Sequence, residues 1–268
     1  QTKELLSDLE TKLDNAINTL NTITEQDTYG LLSEMLNADA NTLGDFLSAP
    51  VNITTEQVYA VKSYGTSASP FYTILALWFG GLILVAIMHT VHPAPDIPAD
   101  AKRYEKFFGR YFIFFAVGQL QALLITLGNL LYIGIQCYHP FLYWVACAFS
   151  SFVFTFFMYS LTVAFGNIGE ALGIVLLVIQ VAGSGGTFPI EVLPNAYQII
   201  YRFLLFPYSM DALRECIAGM YRYDYIKNLA FLSIYIVVSL IIGLFLQKPF
   251  EKLNHMIERS KEKSGVML

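Results

Sequence analysis

From Tyr111 to Gly169 the chain carries no Asp, Glu, Lys or Arg, and the same holds from Ser63 to Pro95. A helix crosses the hydrocarbon layer of a bilayer with ~20 apolar residues, and both stretches exceed that length. A water-facing surface normally draws on about 25% charged residues. Here the figure is 14%, against 55% hydrophobic. A soluble globular enzyme is therefore excluded. The chain reads as an all-α, polytopic membrane protein whose first partner is the lipid bilayer.

Five spans are expected, near residues 71–91, 111–135, 141–165, 170–187 and 229–246. Lys and Arg in short loops stay cytoplasmic. Lys102, Arg103, Lys106 and Arg110 lie between the first two spans, and Lys248, Lys252, Arg259, Lys261 and Lys263 follow the fifth. Five crossings put both clusters on one side, with the C-terminus in the cytoplasm and the N-terminal region outside. Arg202, Arg214, Arg222 and Lys227 on the other side weaken that contrast without reversing it. Amphipathic rings favour the headgroup level. Tyr132, Tyr138, Tyr143 and Trp144 are thus expected at the outer interface, and Tyr104, Phe107, Phe108 and Tyr111 at the inner one. Gln119, Asn129 and Gln180 are polar but neutral, and are expected to bond between helices.

Residues 1–62 carry three basic and ten acidic side chains, a balance of −7, which argues against a nucleic-acid binder. Leu6, Leu9, Leu13, Ala16, Leu20 and Ile23 recur at heptad spacing. Gly30 interrupts the pattern before it resumes from Leu31 to Leu47. This region reads as a helical stalk or hairpin ending a larger ectodomain, with a partner-binding coiled coil as the alternative. Pro50 to Thr54 and Val58 to Val61 alternate like a short extended segment, and Ser63 to Pro70 is a linker into the 63–247 membrane domain. The chain starts with Gln and shows no signal-peptide pattern, so it is expected to be part of a longer protein.

Gly183-Ser184-Gly185-Gly186-Thr187-Phe188-Pro189 should break the fourth span. Ile190 to Pro207 reads as a short amphipathic helix, Pro207-Tyr208-Ser209 as a turn, and Met210 to Met220 as a second short helix. On that second helix Asp211, Arg214 and Glu215 share a face. Irregular backbone survives at membrane depth only when buried in protein or beside water. The segment 188–228 is therefore expected to form a helical hairpin dipping into the outer leaflet. Its candidate site residues are Gly185, Gly186, Pro189, Glu191, Asp211, Arg214 and Glu215. Glu170 opens the fourth span on the cytoplasmic side, where a carboxylate meets a helix N-terminus favourably. Contact with a cytoplasmic partner is its alternative role.

The runs Tyr64-Gly65, Ser69-Pro70-Phe71 and Leu75-Ala76-Leu77-Trp78-Phe79-Gly80-Gly81 resemble the start of the C-terminal membrane domain of the YhgE/Pip (phage infection protein) family. Gly185-Gly186-Thr187-Phe188-Pro189, Leu193-Pro194 and Pro207-Tyr208-Ser209-Met210-Asp211-Ala212-Leu213-Arg214-Glu215 are similar to its second signature. The resemblance covers about residues 50–247. It implies the permease fold of ABC-2 type exporters, one further span before the ectodomain, and export or secretion across a Gram-positive plasma membrane. The partners it implies are a separate ATPase subunit, a second copy in a homodimer, and phage or secretion-machinery proteins. The alternative function it implies is a cell-surface receptor or scaffold, serving phage adsorption, DNA entry or type VII secretion, without transport of its own.

No Gly-x-x-x-x-Gly-Lys-Ser/Thr phosphate loop occurs, so the chain is not expected to hydrolyse ATP. His89, His92 and Asp96 lack the His-Glu-x-x-His spacing and straddle Pro93 and Pro95, so they read as interfacial rather than zinc-binding. Ser184 has no histidine on the fourth or fifth span to act as its base. Cys137, Cys147 and Cys216 form neither metal spacing nor an even disulfide framework. No catalytic residue, metal or cofactor is expected. Charge-free span interiors argue against a proton-coupled pump or ion channel. The basic tail 248–268, with Phe250, Leu253 and Ile257 on one face, reads as an amphipathic helix on the inner leaflet.

Overall fold

The computed structural model describes residues 11–15, 58–88, 102–247 and 250. The chain divides into two compact units, Gln1–Gln57 and Val58–Leu268. In the first, residues 11–15 are helical with exposed side chains. The rest of the expected stalk, the segment Pro50 to Thr54, the trio His89, His92 and Asp96, and the tail apart from Phe250 lie outside the described residues.

The second unit is helical, with no strand among the described residues. Its order is α1 (Tyr64–Ile87), α2 (Arg103–Leu127, continued by a π turn at Gly128–Ile133), α3 (Pro140–Phe165), α4 (Asn167–Gly183), a 3-10 turn (Ile190–Val192), α5 (Asn195–Tyr201), α6 (Leu205–Ala218) and α7 (Asp224–Ile241, continued by a π turn at Ile242–Leu246). The helical stretches Tyr64–Ile87, Arg103–Ile133, Pro140–Phe165 and Asp224–Leu246 are long and apolar enough to cross a membrane. α4 is apolar but has 17 residues. At 1.5 Å per residue that is about 26 Å, against a hydrocarbon layer of about 30 Å.

α1 begins seven residues before its expected span, with Pro70 inside it. Ser63 explains the early start, because its hydroxyl accepts from Thr66 N at 3.2 Å and satisfies an orphan donor. Pro70 lacks the N–H that would have bonded the Thr66 carbonyl. Ser69 Oγ fills that vacancy, donating to Thr66 O at 2.9 Å.

α3 is the central helix. It is apolar all round, and every residue from Val153 to Ala164 is buried, as expected of a helix with no solvent face. α1, α2, α4, α6 and α7 pack around it. Lipid tails give apolar helices little reason to associate, so close packing and interhelical hydrogen bonds carry more of the load. Several such bonds tie α2 to α3, among them a 3.1 Å bond between Tyr111 OH and Thr155 Oγ1. Tyr111 OH donates to Phe152 O at 3.1 Å, Ser151 Oγ to Gly118 O at 2.8 Å, Gln119 Nε2 to Ala148 O at 3.0 Å, and Tyr159 OH to Phe107 O at 2.9 Å. Asn129 Nδ2 donates to Thr73 Oγ1 on α1 at 2.8 Å and to Tyr143 OH on α3 at 3.0 Å.

These bonds correct part of the expected aromatic belts. Tyr143, Phe107 and Tyr111 are 0%, 5% and 6% exposed. The two tyrosine hydroxyls find partners inside the bundle, and the rings follow them in. Tyr132, Tyr138, Tyr104 and Phe108 remain exposed.

Candidate functional site: a hairpin rooted at mid-height of the bundle

α4 ends at the expected glycines. Gly185 has φ +70, a left-handed conformation that strains other residues. Gly186 lies so close to the Phe71 ring that a Cβ there would overlap it. Beyond them the chain departs from the single helix expected over Ile190 to Pro207. Pro194 separates the 3-10 turn from α5, and a turn at residues 202–204 separates α5 from α6. Pro207 does not form a turn. It sits in the first turn of α6, where its missing N–H costs nothing, so that helix begins five residues before Met210.

The start of α6 is capped from within the bundle. Gln180 Oε1 accepts from Leu205 N at 3.2 Å and Phe206 N at 3.1 Å, satisfying two of the donors a helix N-terminus leaves open. The Phe206 ring meets Trp78 at 5.6 Å edge-on and Phe154 at 5.9 Å between centroids. Tyr235 OH donates to Phe203 O at 2.8 Å. Tyr235 is eleven residues into α7, about 16 Å along its axis. The bend of the hairpin thus stands level with the middle of α7, α1 and α3 rather than with their ends.

Higher on α6, Arg214 joins the hairpin's two arms. Its Nη1 pairs with Asp211 Oδ1 at 2.9 Å and its Nη2 donates to the Gly185 carbonyl at 3.4 Å. Glu215 accepts from Tyr221 N and holds the turn into α7. The Arg214 and Asp211 side chains are 43% and 38% exposed, so the pair itself is worth only about 0–1 kcal/mol.

Arg214 lines two clefts. The larger, about 550 Å³, lies between the hairpin and the start of α1, and Gly185, Gly186, Pro189 and Glu191 line it with Tyr64, Ser67 and Tyr201. The smaller, about 290 Å³, is lined by Asp211, Arg214, Glu215, Asp224, Lys227 and Asn228. The six other hairpin candidates therefore each line one of the two clefts that Arg214 borders. Glu170 does not join them: it lies half-buried in the first turn of α4, at that helix's other end. Tyr64 and Ser67 were not expected in the site, since only contact between distant segments brings them there, and Tyr201, within the hairpin, was not singled out. Among the described residues no His, Cys, Asp and Glu group could hold a metal ion, and the three cysteines are free.

The comparisons with known proteins agree with this architecture. Residues 3–245 match the family described as ABC-2 family transporter protein. The chain is similar to the "Uncharacterized protein YhgE" of Bacillus subtilis (strain 168), 31% identical over 184 residues. That alignment covers 69% of this chain and 23% of the relative, so the chain spans about a quarter of that protein's length. No solved structure matches at a significant level. With the family spanning nearly the whole sequence, the chain belongs to the ABC-2 family transporter proteins and is a membrane protein related to YhgE.

Proposed function

We propose that the chain is the membrane part of a plasma-membrane exporter whose outward cleft is closed or opened by the hairpin. In this reading α4 is the short fourth of five spans, residues 1–62 and the hairpin face outside, and residues 248–268 face the cytoplasm. The hairpin is re-entrant: it dips from the outer leaflet to the depth of Tyr235. The observation that carries the reading is Arg214, which ties α6 to the Gly185 loop and borders both clefts. A charged side chain at partial membrane depth is expensive, and such residues mark pathways. Energy would come from a separate ATPase subunit, and Glu170, at the opposite end of α4, is where a cytoplasmic partner would touch. The Bacillus relative supports a Gram-positive setting.

A second reading, a receptor or scaffold for a phage or a secretion machine, is favoured by the charge of residues 1–57, a separate compact unit with two basic and ten acidic side chains, a balance of −8. Arg214→Ala separates the two. Because the ion pair is only partly exposed and Arg214 also donates to the Gly185 carbonyl, the variant should still reach the membrane at wild-type level while losing about 1–3 kcal/mol of stability. As an exporter it should change the secreted proteins or surface polymers of the cell several-fold. If export stays normal and only removal of residues 1–57 changes phage sensitivity or secretion, the receptor reading holds.

A further inference from the structure

The segment joining residues 1–57 to α1 is gripped on two sides. Gln136, in the loop between α2 and α3, spends both ends of its side-chain amide on it: Oε1 accepts from Lys62 N at 3.0 Å and Nε2 donates to Ala60 O at 2.8 Å. This is the donor and acceptor pair that a neighbouring strand would supply, delivered by one side chain. The Gln136 backbone N–H also donates to Thr66 Oγ1 in the first turn of α1 at 3.4 Å. On the other side Tyr59 lies over Gly219, where a Cβ would come within 3.4 Å of its ring.

Gly219 ends α6, and the Gln136 loop holds that same end. The Cys216 carbonyl accepts from Tyr138 N at 3.0 Å, His139 N at 3.1 Å and Cys137 Sγ at 3.4 Å. The last carbonyls of a helix need partners from elsewhere, and here one loop provides them. Residues 58–62, the 134–139 loop and the end of α6 therefore close a ring of contacts. From that ring α6 runs back to Arg214 and Asp211.

We propose that this ring is a mechanical coupling, through which displacement of residues 58–62 moves α6 and resets the cleft at Arg214. A load or a bound partner on residues 1–57 would reach the hairpin by this route. The coupling does not depend on whether the cleft exports or the protein serves as a receptor.

Hydrogen exchange on the full chain in lipid nanodiscs tests it. Gln136→Ala should speed exchange at Lys62 about three- to tenfold, the factor that one lost hydrogen bond represents. It should also speed exchange at residues 217–223, leaving the α3 interior unchanged. Coupling is reciprocal, so Tyr59→Ala, which leaves α6 itself intact, should loosen residues 217–223 and Lys62 together. If both variants affect only residues 58–62, the segment is merely tethered and the proposal fails. Should Gln136→Ala loosen the whole bundle, Tyr59→Ala alone decides: loosening at 217–223 upholds the coupling, and none there overturns it.

Discussion

Trp78→Ala is expected to destabilise the bundle by about 3–5 kcal/mol, the usual range for emptying a buried aromatic site. Trp78 is fully buried where four helices converge. Its ring stands edge-on to Phe154 of α3 at 5.1 Å and Phe206 of α6 at 5.6 Å, and its Nε1 donates to Gly173 O of α4 at 3.4 Å. Lipid cannot fill a hole in the interior, so the packing lost has no substitute. The damage should centre on the hairpin, because Phe206 is its root. Titration with SDS in mixed micelles should show the folded fraction falling at lower SDS, and protease should cut residues 188–203 faster than in the wild type. Trp78→Phe, which keeps most of the ring contact, should lose less.

The second large effect lies at the other end of α4. Gly169→Val should cost about 1–3 kcal/mol or more as an overpacked site. A Cβ there would collide with the Leu161 carbonyl and come 2.8 Å from Thr162 N. Those are backbone atoms and cannot rotate away. α3 reverses into α4 through Gly166, at φ +60, and the reversal is tight only because Gly169 lets the two helices touch. Gly109 on α2 provides the contrast, since a Cβ there meets nothing within 4 Å. Gly109→Ala should be neutral, or stabilising by the ~0.5–1 kcal/mol that glycine costs inside a helix. Thermal unfolding in detergent of the two variants side by side checks both expectations.

The membrane class was legible because charge is so costly in lipid that its absence writes the spans directly, and the family was legible from the signature runs at 64–81 and 185–215. Span ends were less legible. α2 starts at Arg103 and α7 at Asp224, each taking charged residues into its first turns, and Lys and Arg can do so because their heads snorkel to water. Facing was hidden on α3, where Tyr143 is buried and its neighbour Trp144 is not. A helix that is apolar all round offers no polar stripe from which to tell the two apart. Gln180 was recognisable as an interhelical bonding group, but its use as a cap for α6 depends on a hairpin bend 22 residues further along. For the candidate site, the two glycines and the Asp211, Arg214 and Glu215 face were readable from spacing. Tyr64 and Ser67 were not, because no local pattern links the start of α1 to the hairpin.

The central claim is that the hairpin reaches mid-membrane, and a spin label at its bend tests this most directly. Phe203 and Phe188 are 72% and 64% exposed, so Phe203→Cys and Phe188→Cys should both accept a nitroxide without disturbing the core. In bilayers, the label at 203 should collide mainly with dissolved oxygen, and the label at 188 far more with a water-soluble nickel chelate. Equal access of the nickel chelate to both positions would place the bend in water and contradict the account.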